Sequence, residues 1–282
     1  IGPFLCDRKI LPVREEEDLF AQGTIRMRTG AIHTVRPLEV TIPKGRLTAV
    51  SGVSGSGKTT MVLESLVPGL EAAIHGRPLP PHVRSIDAPG IAQVKLIDAA
   101  PIGVNVRSTV ATYAGVHDEL RKLFAKSSEA KARGLKAKDF SYNTGSLRCP
   151  HCDGTGIISL DVQFLPDVKI TCPSCHGSRY AREADEIHMV MPTGRTLSLP
   201  QLMAMDVQDA LEACQGLKTI CQRLQVLKDL GLGYLTLAEE TPGLSGGEAQ
   251  RLKLASEMGR TQSDALFVFD EPTIGLHPLH AA

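Results

Sequence analysis

The chain has 282 residues, 31 Lys and Arg against 31 Asp and Glu, and 42% hydrophobic side chains. That length suggests one large or two modest domains, and the composition is that of a globular protein able to bury a core, which excludes collagen-like, disordered and coiled-coil classes. No apolar run reaches the roughly 18 residues needed to cross a bilayer, and no charged segment leading into an apolar stretch marks a secretory signal. Zero net charge argues against a general polycationic coat but leaves room for a local basic patch. Of seven cysteines, Cys6, Cys214 and Cys221 are scattered, while Cys149, Cys152, Cys172 and Cys175 form two tight pairs. This is not the layout of a secreted disulfide scaffold, so a cytoplasmic location with reduced thiols is expected. A chain that opens on Ile1 and stops at Ala282 reads as a piece of something longer.

In chain order, residues 1–46 are mixed and end in a turn at Thr41-Ile-Pro-Lys-Gly-Arg46. Leu47-Thr-Ala-Val-Ser51 is a short β-prone run. A helix is expected from Thr59 to Leu66, stopped by Pro68 and Gly69, followed by a connection over 71–92. Val94–Asp98 reads as a buried strand and His117–Ala132 as a helix with Leu120, Leu123 and Phe124 on one face. Val207–Leu230 reads as two short helices broken near Gly216, Leu244–Met258 as a glycine-started helix, and Leu266–Asp270 as a second buried strand. Strands alternating with helices predict an α/β core with parallel strands, into which the cysteine region is inserted.

Gly52-Val-Ser54-Gly55-Ser56-Gly57-Lys58-Thr59 matches the phosphate-loop pattern. Glycines let successive N–H groups turn toward phosphates, Lys58 reaches the β- and γ-phosphates, and the Thr59 hydroxyl ligates Mg²⁺. Thr60 completes the expected nucleotide set at the start of the helix, whose positive end faces the anion. Leu266-Phe-Val-Phe-Asp270-Glu271 is an apolar strand ending in two carboxylates. Asp270 would help hold Mg²⁺, and Glu271 would polarise the attacking water as the catalytic base, with Lys58 as the catalytic cation.

Between them lies Leu244-Ser245-Gly246-Gly247-Glu248. Two glycines opening a helix expose unpaired N–H groups that can receive an anion, and a plain serine-capped helix has the same residues. The string resembles the signature of ABC ATPases. That resemblance implies that Ser245, Gly246 and Gly247 close over ATP held by another head.

Cys149-x₂-Cys152-x₁₉-Cys172-x₂-Cys175 fits a Cys₄ zinc site, closed and therefore structural. Reduced or redox-active pairs are the alternative. From Arg121 to Arg148 there are eight basic residues against two acidic ones. Such a stretch suits a DNA backbone, with Lys136, Lys138 and Arg148 as candidates, or is a solvated helix face.

A phosphate loop, a Cys₄ module ahead of Leu-Ser-Gly-Gly-Glu, Leu230-Gly-Leu-Gly-Tyr234, Phe164-Leu-Pro-Asp-Val168 and Asp270-Glu-Pro-Thr-Ile-Gly-Leu-His277 together resemble the UvrA family, in its C-terminal ATPase half. The resemblance implies an ABC-type ATPase head with an inserted helical signature subdomain and one zinc per chain. It also implies DNA binding in nucleotide excision repair, a second ABC head, a dimer, and UvrB as partner. On this reading residues 1–98 open the core, 99–240 are the inserted subdomain with the zinc module at 149–175, and 241–282 carry the signature helix and the Asp-Glu strand. Ala99 stands where the family has a glutamine that senses Mg²⁺ and γ-phosphate, which points to a divergent paralogue. His277 and His280 come too early for the family's switch histidine. Relatives linked to resistance against DNA-binding drugs, a transporter head, and the zinc repeat of DnaJ-type chaperones are the alternatives. The module speaks against the transporter and the phosphate loop against the chaperone. Metal loss is expected to loosen the insertion and spare the nucleotide core, and a lone head is expected to be a poor ATPase.

Overall fold

The computed structural model describes residues 18–103, 105–160, 168–258 and 264–272. They form two units, one reaching Asp98 and resuming at 264–272, the other running from Ala99 to Met258. Cys6, His277, His280 and most of the Phe164–Val168 string lie outside the described residues.

In the first unit, β1 (Thr24–Thr29) pairs antiparallel with β2 (Leu38–Pro43) and with β3 (Val83–Asp87), in the order β2-β1-β3. β1 alternates as a half-buried strand must: Ile25, Met27 and Thr29 point inward, Arg26 and Arg28 outward. Its core is Ile25, Met27, Leu66, Leu70 and Val83. β3 falls inside the stretch expected to be connection. Val83 and Ile86 favour a strand but the run is short and lacks a clean alternation, and pairing with the otherwise open edge of β1 decides its conformation.

The helix after the glycine loop also departs from expectation. A wide, π-type turn over Thr60–Leu66 runs straight into an α-helix at Val67–Ile74. Pro68 sits in the first turn of the α segment, where the hydrogen-bond ladder changes register and its missing N–H costs little. Leu47–Ser51 forms no strand: Leu47 is 94% exposed, and among the described residues no strand lies beside it to pair its backbone. β4 (Gln93–Ile97) and β9 (Ala265–Phe269) do pair in parallel, as the two apolar runs predict. Parallel neighbours require a long crossover, and here the whole second unit lies within it.

The second unit is largely helical. Its core joins Val110, Leu120, Phe124, Phe140, Tyr142, Leu224, Leu227 and Leu252, all fully buried. The expected helix over 117–132 is two, Val116–Phe124 and Ser128–Ala132, because the Ser127 side chain caps the second by accepting from the Ala130 amide at 3.2 Å. Helices Val207–Ala213 and Lys218–Asp229 part where expected. Gly216 supplies a left-handed residue at the break. Two short hairpins, β5–β6 (Ile157–Leu160 and Val168–Thr171) and β7–β8 (His188–Val190 and Thr196–Ser198), complete it. The helix Gly246–Glu257 belongs to this unit, with Ala249 and Leu252 in the same core as Leu147 and Tyr180 beside the cysteines.

That core encloses a histidine. His117 is 3% exposed; its Nε2 lies 2.7 Å from the Tyr180 hydroxyl, which donates to the Phe140 carbonyl at 3.1 Å. Burial, then the nearby Arg121 charge, lower its pKa to about 4, against a smaller opposing pull from Asp118. Neutral His117 therefore adds stability that is complete above pH ~6.5, the ordinary histidine value, and is lost as pH falls toward 4. Between pH 7 and 4 the loss from this group is expected to be about 3 kcal/mol. Urea melts of the chain and of His117→Asn across that window check it. The variant should be less stable at pH 7 and less sensitive to acid, and parallel pH curves would refute the assignment.

Candidate functional site

The four cysteines are brought together from the turns on either side of the β5–β6 hairpin. Their sulfur atoms lie within 4.8 Å of one another, all buried, with Cys149 Sγ 3.9 Å from Cys172 Sγ and Cys152 Sγ 3.6 Å from Cys175 Sγ. A tetrahedral zinc with Zn–S bonds near 2.3 Å sets sulfurs about 3.8 Å apart, so the donor set fits. The Gly156 amide donates to Cys152 Sγ at 3.2 Å. Burial raises Cys149, and raises Cys175 to about 12; at Cys172 burial is outweighed by the amides of Cys175 and Ser174, and the pKa falls to about 7. Gly154 makes the knuckle possible: it has φ +74°, and a side chain there would collide with the Tyr142 carbonyl. His151 and His176 are exposed beside the knuckles and are not among the clustered donors. Cys214, by contrast, is isolated in the core, its thiol pushed up to about 12 by burial first and Cys221 second.

The glycine loop curls as its sequence predicts. Gly52, Gly55 and Gly57 all take positive φ, and the Ser56 amide bonds back to the Val53 carbonyl at 3.2 Å. Gly57 is fixed twice over, by φ +90° and because an added Cβ would meet Val35 Cγ2 at 2.5 Å. Lys58 Nζ donates to the carbonyls of Gly52 and Val53 at 2.8 and 2.9 Å, folding the ammonium over the loop. Ser54, Gly55, Ser56 and Thr59 are exposed; the helical run begins at Lys58 and Thr59, and Thr60 opens its π-type segment. In the same unit, Asp270 follows β9, its amide bonded to the Ile97 carbonyl at 3.2 Å, and Glu271 is exposed with φ +44°.

Ser245, Gly246 and Gly247 lie in the other unit. Ser245 caps its helix: its amide and hydroxyl both donate to Glu248 Oε2 at 2.7 Å, and its oxygen accepts from the Glu248 amide at 3.4 Å. The Tyr234 hydroxyl donates to the other Glu248 oxygen. Desolvation raises the Glu248 pKa, but these bonds from Tyr234 and Ser245 outweigh it and the net shift is downward. Ala99 packs on this helix start: a Cβ on Gly246 would lie 3.1 Å from the Ala99 carbonyl oxygen.

The basic stretch is more neutral than its sequence count. Arg121 pairs with Asp118 and Lys122 with Glu119, just outside the stretch, while Arg133 pairs with Glu186 and Arg148 with Asp153. Partners outside the counted window cancel charges the window assigns as excess. Lys138 and Arg148 still line a polar cleft of about 580 Å³ with Asp139, Thr144, Ser146 and Asp153, and Lys136 is exposed nearby in sequence. Sequence reasoning missed Arg107 and Arg179. Both bridge to residues more than forty positions away, and no local pattern marks them.

The class these features define is a mixed α/β protein whose parallel strand pair is interrupted by a helical unit holding a buried cluster of four cysteines that could bind a metal ion. No protein-family model matches the chain. It is 41% identical over 281 residues to UvrABC system protein A of Bacillus subtilis (strain 168), covering 98% of the chain and 29% of that relative. UvrABC system protein A of Lactococcus lactis subsp. lactis (strain IL1403) is also 41% identical, over 280 residues. Among solved structures, UvrA2 from Deinococcus radiodurans superposes with a TM-score of 0.82 at 38% identity, over 99% of this chain and 33% of that one. Over nearly its whole length the chain matches UvrA proteins, and it spans under a third of the length of the curated relatives it matches. Among the described residues no helix is long and apolar enough to cross a membrane.

Proposed function

We propose that this chain is the nucleotide- and DNA-binding portion of a cytoplasmic UvrA-type repair ATPase, an ABC head that recognises damaged DNA for excision. The observation that carries the proposal is the buried Cys₄ cluster between a phosphate loop and a Ser-Gly-Gly helix start, in a chain of UvrA sequence. Zinc bound there would cross-link the two knuckles. Gly52, Ser54, Gly55, Ser56, Gly57 and Thr60 would surround ATP phosphates, Lys58 would neutralise them, and Thr59 with Asp270 would hold Mg²⁺. Glu271 would orient water. Ser245, Gly246 and Gly247 would act on nucleotide held by a second head, in the same chain or a dimer partner, with UvrB receiving the DNA. Ala99 supports a divergent variant of this reading, such as a UvrA-like protein giving resistance to DNA-binding drugs, because a methyl group cannot sense a γ-phosphate.

Recognition of chemically different lesions has to read DNA shape through backbone contacts. Affinity is therefore expected to fall steeply with salt. Because Arg148 is already paired with Asp153, neutralising Lys136, Lys138 and Arg148 to glutamine together should reduce the log–log salt slope by about two, not three. Fluorescence anisotropy on several duplex sequences reads this. Weakening that depends on sequence, or no weakening, would refute the patch.

A further inference from the structure

Arg179 stands four residues beyond Cys175, and its backbone is set by both cysteine pairs. Its amide lies against the Cys175 sulfur, and its carbonyl accepts from the Cys149 amide at 2.9 Å. It takes φ +72°, a left-handed conformation that a non-glycine residue adopts only when its surroundings impose it. The side chain leaves the module and is 3% exposed. Nη1 donates to the Val106 carbonyl at 3.0 Å and Nη2 to Glu240 Oε1 at 2.8 Å, while the guanidinium lies 5.3 Å above the Tyr142 ring. Arginine alone offers a planar fork that can serve a carbonyl, a carboxylate and a ring face at once.

The two residues it grips belong to one paired structure. The Thr241 amide donates to the Ser108 carbonyl at 3.0 Å, its hydroxyl donates to the Ile102 carbonyl at 3.2 Å, and the Val110 amide donates to the Glu239 carbonyl at 3.0 Å. The segment after Asp98 thus runs beside the turn that leads into Ser245. A second arginine latches the same segment to the other knuckle: Arg107 donates to the Asp153 carbonyl at 2.7 Å and to its carboxylate at 2.9 Å.

We infer that Arg179 is a coupling residue, which ties the state of the Cys₄ module to the paired segments 102–110 and 237–241 and so to the placement of Ser245. This rests on reading the cysteines as a metal centre and Ser245 as a nucleotide-facing serine. Removing the metal frees the Arg179 backbone. The guanidinium then lets go of Glu240 and Val106, and the turn before Ser245 loosens. Without Arg179 the turn is already loose whether or not metal is bound.

The test is hydrogen exchange at the Val110 and Thr241 amides, with zinc loaded and stripped, in the chain, in Arg179→Gln and in Glu240→Gln. Elemental analysis accompanies each sample. In the unmodified chain, stripping zinc should speed exchange at both amides at least ~10-fold. Glu240→Gln leaves the Arg179 backbone on both knuckles, so zinc should stay at one per chain while Thr241 exchanges fast. Stripping should then add little, and this non-additivity separates coupling from two independent losses of stability. Arg179→Gln should behave alike at both amides. Zinc-loaded variants that keep native protection, or a stripping effect undiminished in Glu240→Gln, would overturn the inference. An unmodified chain that takes up no zinc would overturn the metal reading together with it, and is told apart by the elemental analysis. If Arg179→Gln fails to fold, Glu240→Gln alone decides.

Discussion

Replacing Cys172 with serine is expected to cost the chain its metal and to unfold much of the second unit. A structural zinc contributes about 10–16 kcal/mol of binding free energy in small zinc domains, and that energy is folding energy. Cys172 is fully buried within the four-sulfur cluster, so its loss would leave three donors, too few for a closed tetrahedral site. The damage should reach beyond the module. Leu147, Tyr180, Leu244 and Leu252 share one core, so the helix carrying Ser245 loses packing when the knuckles open. This sharpens the expectation that metal loss merely loosens an insertion. The first unit buries a separate cluster around Ile25, Met27, Leu66, Leu70 and Val83 and should survive. Elemental analysis with limited proteolysis checks both halves of the statement. A Cys172→Ser variant that retains zinc and native resistance between 140 and 257 would reject the module; rapid cleavage within 24–97 would reject the independence of the cores.

The second large effect concerns Lys58. Lys58→Ala is expected to weaken ATP binding by at least about 100-fold, since charge-assisted hydrogen bonds to phosphate contribute roughly 1.5–3 kcal/mol each. Fold stability should change little. The ammonium is only partly buried and bonds to two carbonyls of its own loop, so its removal disturbs only local contacts there. Titration with a fluorescent ATP analogue measures the first effect and a thermal melt the second. Equal affinity in both proteins would discard the phosphate-loop assignment and with it the roles given to Thr59, Asp270 and Glu271.

What the sequence determined by itself is what short-range chemistry encodes. Two Cys-x₂-Cys pairs around a hairpin can do little but converge, and the sulfurs do cluster. Three glycines before Lys58 specify positive φ, and the loop has it. Val94–Asp98 and Leu266–Asp270 are mostly apolar runs and they pair in parallel, although of their residues only Ile97 and Val268 are buried, where burial of both strands is expected. Helices 207–213 and 218–229 announce themselves through periodicity and the Gly216 break. The tertiary structure alone decided the rest, because those outcomes depend on partners far along the chain. Val83–Asp87 becomes a strand only because β1 offers an edge. Pro68 continues a helix only because a π-type turn precedes it and shifts the ladder. Arg148 loses its apparent surplus charge to Asp153, and Arg179 finds Glu240 sixty-one residues away. A side chain's residue type fixes which partners suit it, but folding fixes which of them it meets, and buried charge cannot stay unpaired in a low-dielectric core.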